Sequence, residues 1–220
     1  MKSNACKNIL NNWVKNLEHS TSLTKHARGS NYVQLATVDL NGKPSCRTVV
    51  YRGALPCVLD GIGTINCIKM ITDRRSRKVE HIKANSSTEL VWWLPQTSEQ
   101  YIFSGSMYVV DEKESSIDML GARNEMWSVL SDVARQQFYS TGLPYDANHV
   151  EVVEEIKTIT RSFQIEVDEE SKKPPPNFLM LLLIPETVKY LRLTDNYAQL
   201  DTLVRTDIET NADVPLSTVS

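Results

Sequence analysis

The feature that most restricts the fold is Asn41-Gly42, set between two runs of strand formers, Tyr32 to Asp39 and Ser45 to Tyr51. Asn-Gly between such runs is the strongest short-range hairpin signal, because both residues tolerate the positive φ of a tight reversal. The two runs are expected to pair antiparallel. Alternation along the second projects Arg47 to one face and Thr48 to the other. Further strand patterns occur at Cys67 to Ile71, Glu89 to Leu94, Gln100 to Val110, Phe178 to Ile184 and Thr187 to Leu193.

Helical spacing interrupts the strands in a few places. Ile9, Leu10, Trp13, Val14 and Leu17 recur at helical intervals behind Asn4, a candidate N-cap, and predict a helix over about 4–20. Val79 to Ala84 reads as a short helix. Met126, Val129, Leu130, Val133 and Phe138 mark a more helical region from Glu114 to about Lys157. The Lys172 to Pro176 segment is a stiff extended linker, because proline fixes φ and disfavours helix before it. Runs of strands with a few interposed helices predict a mainly β, α+β chain: an antiparallel barrel with peripheral helices. One domain is expected over residues 1–206, with a polar tail over 207–220.

Composition narrows the function. The 220 residues are enough for one sizeable core, and 41% hydrophobic with 23% charged residues is ordinary for a globular chain. A net charge of -3 argues against a general nucleic-acid binder. No apolar run is long enough for a transmembrane helix, and Met1-Lys2-Ser3-Asn4 begins no secretory signal, so a cytoplasmic protein is expected. Cys6, Cys46, Cys57 and Cys67 lack CxxC spacing and paired histidines, and they read as reduced packing thiols without a zinc site. His26, His81 and His149 are scattered and support no hydrolytic triad.

The stretch richest in chemistry is Thr72-Asp73-Arg74-Arg75-Ser76-Arg77-Lys78, between a strand and a helix start. Cations at a helix N-terminus oppose the macrodipole, which favours anions there. A bound anion would reconcile the two, since the cations and the free backbone N–H groups would both face it. Phosphate fits best. A solvated basic turn is the alternative.

Four segments in order then carry a resemblance: Arg47-Thr48-Val49-Val50, the Thr72 to Lys78 turn, Glu99-Gln100-Tyr101 before Ser104-Gly105, and Pro175-Pro176-Asn177-Phe178. The chain resembles the pyridoxamine 5′-phosphate oxidase-like proteins, the split barrels that bind flavin mononucleotide (FMN). The likeness spans roughly Tyr32 to Leu193. It implies an antiparallel FMN-binding split barrel and a homodimer with FMN between subunits. Arg47, Arg77 and Lys78 would hold the FMN phosphate, and Thr72 and Ser76 would add hydroxyl donors. Gln100 would turn its amide to the ribityl chain or ring edge, and the backbone of Thr48, Val49 and Val50 would line the isoalloxazine. Trp92 and Trp93 point to opposite faces, so at most one meets a ligand.

The substrate motifs of the family depart. Its Tyr-x3-Arg-x3-Ser pattern is missing near Trp127 to Phe138, and no Arg-x-His clamp follows Leu193. The resemblance therefore implies the cofactor more firmly than the vitamin B6 substrate, and no catalytic residue is assigned. The leading expectation is an FMN-binding protein, an oxidoreductase using FMN and oxygen. A non-enzymatic split-barrel binding protein and a carrier of a phosphorylated ligand are the alternatives.

Overall fold

The computed structural model describes residues 12–59, 62–139, 173–206 and 213–215. The chain forms two compact units: residues 1–70, 80–108 and 181–220 in the first, and 71–79 and 109–180 in the second.

The first unit is built on the early hairpin. Strands β1 (Tyr32–Val38) and β2 (Pro44–Val50) pair antiparallel, with Leu35 opposite Arg47 and Thr37 opposite Ser45. The reversal is wider than a two-residue turn. Asp39 O accepts from Gly42 N, Asp39 Oδ1 takes the N–H groups of Asn41 and Lys43 at 2.9 Å each, and Gly42 has φ +77°. The Asx geometry of Asp39 and the left-handed glycine together make a three-residue loop.

Strands β3 (Ala54–Leu59), β4 (Gly63–Asp73), β5 (Ser87–Leu94), β6 (Glu99–Val110), β7 (Phe178–Arg192) and β8 (Tyr197–Thr202) follow, with α2 (Arg77–Ala84) between β4 and β5. β4, β6, β7 and α2 each contribute residues to both units. The sheet order is β2-β1-β5-β6-β7-β4-β3, with β8 paired to β7. Its two terminal strands are consecutive in the chain. Their link binds both sides: Tyr51 N donates to Asn31 O at 2.8 Å, and Arg52 N donates to Lys69 O at 2.9 Å. That link brings the ends of the strand order together, as the predicted antiparallel barrel requires.

Helix α1 (Asn12–Thr24) buries Trp13, Leu17, Ser20 and Thr24, residues at spacings of four, three and four. Trp13 meets Phe103 edge-on at 5.1 Å, its backbone N–H is capped by Asp201 Oδ2 at 2.8 Å, and Ser20 Oγ lies 2.8 Å from Tyr101 OH. The helix outlasts the expected end near residue 20, and within it Ser20, Thr21 and Thr24 turn their hydroxyls back to carbonyls four residues earlier, so they do not compete for other backbone groups. Its expected start at Asn4 lies outside the described residues.

Some strand expectations change. β3 and β8 were not anticipated, and Phe178–Arg192 is one strand through Pro185 rather than two. Gly105 makes that continuous strand possible. A Cβ there would lie 2.1 Å from Ile184 O and 3.0 Å from Pro185 Cα, so only glycine lets the β7 backbone pass this close.

The second unit packs around Trp127. Helix α3 (Ile117–Ser128) is capped by Ser116 and α4 (Asp132–Gln136) by Ser131. Trp127 makes edge contacts to Phe138 at 5.7 Å and Phe178 at 5.1 Å. The helical region expected from Glu114 thus breaks after Ser128, and its part beyond Tyr139 lies outside the described residues. Arg123 is buried and donates to Phe178 O and Pro175 O, fixing the exit from the prolines. Burial pulls its pKa below the usual range, although Glu112 and Asp111 oppose the shift. Strands β9 (Val204–Thr206) and β10 (Asp213–Pro215) form a separate antiparallel pair.

Candidate functional site

The basic turn uses its four cations in two ways. Arg75 folds back on Asp73: its backbone N–H and its Nε reach Asp73 Oδ1 at 2.8 and 2.9 Å, and Nη2 reaches Oδ2 at 2.6 Å. Hydrogen bonding to that carboxylate raises the Arg75 pKa further. Arg74 donates through Nε to Pro176 O at 2.8 Å and pairs with Glu112 and Asp111. Both arginines are therefore neutralised by partners that hold the turn in place.

Lys78 and Arg77 are different. Lys78 Nζ donates to Ser76 Oγ at 2.6 Å and to Thr72 Oγ1 at 3.1 Å. Three of the expected site residues thus come together within the second unit. Each hydroxyl accepts from the ammonium and keeps its own proton to give to a further acceptor. Arg77 opens α2, is exposed, and has no hydrogen-bond or ion-pair partner among the described residues. A lysine, two hydroxyl donors and an unpaired guanidinium at a helix N-terminus form a donor set suited to a dianionic phosphate.

In the first unit, Arg47 is half-buried and tied to the hairpin. Nη1 donates to Leu35 O at 3.1 Å and Thr37 Oγ1 at 2.8 Å, and Nη2 donates to Ser45 Oγ at 2.8 Å. The register places Arg47 on the face of Leu35, Leu90 and Phe103. Gln100 lies opposite Trp93 and takes the other face, the one that Thr48 also takes. Arg47 and Gln100 therefore do not project side by side. The Gln100 amide has no hydrogen-bond partner among the described residues. Thr48, Val49 and Val50 lie on β2, which ends the sheet order, so its outward N–H and C=O groups meet no further strand among the described residues.

The paired tryptophans divide as alternation requires. Trp92 is buried, donating Nε1 to Ser30 O at 2.8 Å and packing against Tyr51 at 4.6 Å, whereas Trp93 is 40% exposed. Sequence reasoning passed over Thr37 and set His81 aside among the scattered histidines. Both are buried, and Thr37 Oγ1 lies 3.1 Å from His81 Nδ1. The available signal was Thr37 on the apolar face of β1 across from Ser45, beside the arginine.

Comparison with known proteins converges on one family. The model of the pyridoxamine 5′-phosphate oxidase FMN-binding domain matches residues 10–111, a span containing all nine expected site residues. The chain is 33% identical over 186 residues to pyridoxine/pyridoxamine 5′-phosphate oxidase 2 of Arabidopsis thaliana, covering 84% of each protein. The chain belongs to the pyridoxamine 5′-phosphate oxidase-like family of FMN-binding proteins.

A solved member of that family, a pyridoxamine 5′-phosphate oxidase-related FMN-binding protein from Nostoc punctiforme, is 29% identical with a TM-score of 0.65. The match covers 87% of this chain and 96% of that one. PhzG from Burkholderia lata, solved with tetrahydrophenazine-1-carboxylic acid, shares the fold at 14% identity and a TM-score of 0.60, over 92% of this chain and 90% of its own. The fold is thus the FMN-binding split barrel, and FMN is the family's cofactor. The donor set of the basic turn fits that cofactor's phosphate. Among the described residues no His, Cys, Asp and Glu cluster could hold a metal, and no helix is long and apolar enough to cross a membrane.

Proposed function

We propose that this protein binds FMN through the turn after β4 and the hairpin arginine, and acts as an FMN-dependent oxidoreductase. Arg77 and Lys78 hold the phosphate, Thr72 and Ser76 donate hydroxyl protons to it, and Arg47 supplies a second guanidinium. Gln100 turns its amide to the ribityl chain or ring edge, and the outer backbone edge of Thr48, Val49 and Val50 runs along the isoalloxazine. The single observation that carries this reading is the division of the turn. Arg74 and Arg75 are spent on Asp73, Asp111 and Glu112, while Lys78 gathers two hydroxyls and Arg77 stays unpaired among the described residues.

FMN, when bound, supplies a two-electron acceptor that oxygen can restore. The chain's part is to bind, orient and exclude water, and that work needs no acid–base side chain. The substrate is a small molecule other than the vitamin B6 phosphates. Arg123, Arg135 and Arg192, which could have replaced the missing substrate clamp, donate instead to Phe178 O, Ser128 O and Asp195. Without a clamp, misplacement of a substrate by about 1 Å costs on the order of a hundred-fold in rate.

The same spent arginines favour a second reading, a non-enzymatic split-barrel binding protein that holds flavin or a phosphorylated ligand weakly or not at all. We place the protein in the cytoplasm, in keeping with free Cys46, Cys57 and Cys67. We also infer a homodimer. Trp92, Tyr101 and Phe103, part of the aromatic excess that suggested one, are buried within the first unit; Trp93 and Tyr108 remain 40% and 42% exposed on one face. The test of function is titration with FMN followed by a peroxide assay. Quenching of flavin fluorescence is expected, with negligible hydrogen peroxide from pyridoxamine 5′-phosphate. Robust peroxide with that substrate would restore the B6 assignment, and no quenching would remove the cofactor role.

A further inference from the structure

His81 lies outside the residues just assigned, yet it is only 6% exposed and directed at the hairpin. Its Nδ1 is 3.1 Å from Thr37 Oγ1, the same oxygen that accepts from Arg47 Nη1 at 2.8 Å. A guanidinium has donors and no acceptor, so Thr37 Oγ1 accepts from Arg47. The hydroxyl keeps its proton and a second lone pair, and one of them meets His81 Nδ1, as donor or acceptor according to the ring tautomer. Held from both sides, Thr37 Oγ1 keeps one lone pair aimed at Arg47. Ser45 Oγ and Leu35 O also hold the guanidinium.

We propose that His81 is a positioning residue for the cofactor phosphate: through the Thr37 hydroxyl it fixes the orientation in which Arg47 meets that phosphate. This rests on the FMN reading above and deepens it. His81 sits on α2, the helix that Arg77 and Lys78 open. A buried histidine could instead tie a helix to a sheet and do nothing more. Such a tie would change stability and would affect every flavin equally.

The two roles separate on ligands that differ only in the phosphate. FMN and riboflavin are titrated against the full chain, followed by flavin fluorescence, for the wild type, His81→Leu, His81→Asn, Thr37→Val, Arg47→Ala and the Arg47→Ala/His81→Leu pair. His81→Leu and Thr37→Val should each weaken FMN about ten-fold and leave riboflavin within about two-fold, the scale of one hydrogen bond to a charged group. Asn, whose amide can accept or donate where Nδ1 does, should recover most of the loss. In the Arg47→Ala background, His81→Leu should add nothing, as expected for residues acting in one chain.

Equal losses for both ligands, no recovery with Asn, or full additivity with Arg47→Ala would overturn the positioning role while leaving the FMN reading intact. A wild type that does not prefer FMN over riboflavin would overturn the FMN reading and this inference with it. Should His81→Leu fail to fold, Thr37→Val keeps the side-chain shape and gives the same comparison.

Discussion

Two cationic regions of this molecule, the Thr72–Lys78 turn and the β1–β2 hairpin, hold their charges by opposite means. In the turn, structure and recognition fall to different residues. Arg74 and Arg75 are bound by carboxylates and Pro176 O, and Lys78 is cradled by hydroxyls. In the hairpin, one arginine fills both roles, with three protein oxygens on the guanidinium that is proposed to meet the phosphate. The difference teaches how a strand and a turn prepare an anion site. A turn can spread structure and recognition over neighbouring residues, because successive side chains fan out. A strand offers only every second side chain to a face, so one residue must be fixed by the strand beside it.

Arg47→Ala should break the comparison most visibly. Three hydrogen bonds go, each contributing about 0.5–1.5 kcal/mol, so stability falls by about 2 kcal/mol while FMN affinity also drops. Chemical denaturation and FMN titration on the same variant would measure both. Loss of affinity with unchanged stability would mean that the hairpin arginine is as specialised as those of the turn.

Asp73→Ala should have a smaller effect. It removes the acceptor for the Arg75 backbone N–H and the Arg75 ion pair, so a stability loss of about 1 kcal/mol is expected in denaturant. FMN affinity should fall only as far as the turn loosens. Arg75→Ala should be the mildest, below about 0.5 kcal/mol and with FMN binding unchanged, because it removes a partly exposed pair. A ten-fold loss of FMN affinity in Arg75→Ala would show that the division of labour in the turn is wrong.

The same contrast explains what the sequence could reveal. The turn was legible because its hydroxyls, cations and helix start fall within seven residues, where spacing alone brings Thr72, Ser76 and Lys78 together. The hairpin was legible from Asn41-Gly42, although Asp39 closes it through a wider loop. What escaped is non-local. The partners of Arg74 are Asp111, Glu112 and Pro176, and the Thr37 link to His81 joins residues 44 apart; no local pattern encodes either.

β3 escaped because Pro56 and Cys57 dilute its strand character, though Asp60-Gly61 after it is itself a hairpin signal. The break expected at Pro185 failed because its neighbour is Gly105, whose missing side chain lets β7 continue. Arg123 gave no sequence signal of burial, since charge on a helix suggests exposure. Its position under Phe178 could be known only from the packed second unit.

The central claim is that the basic turn cradles the FMN phosphate, and Arg77→Ala tests it most directly. Arg77 is exposed and has no hydrogen-bond or ion-pair partner among the described residues, so its removal should leave stability unchanged. A charge-assisted hydrogen bond contributes about 1.5–3 kcal/mol, so FMN affinity should fall roughly ten- to hundred-fold while riboflavin affinity stays the same. Equal losses for the two ligands, or no loss for either, would contradict the account.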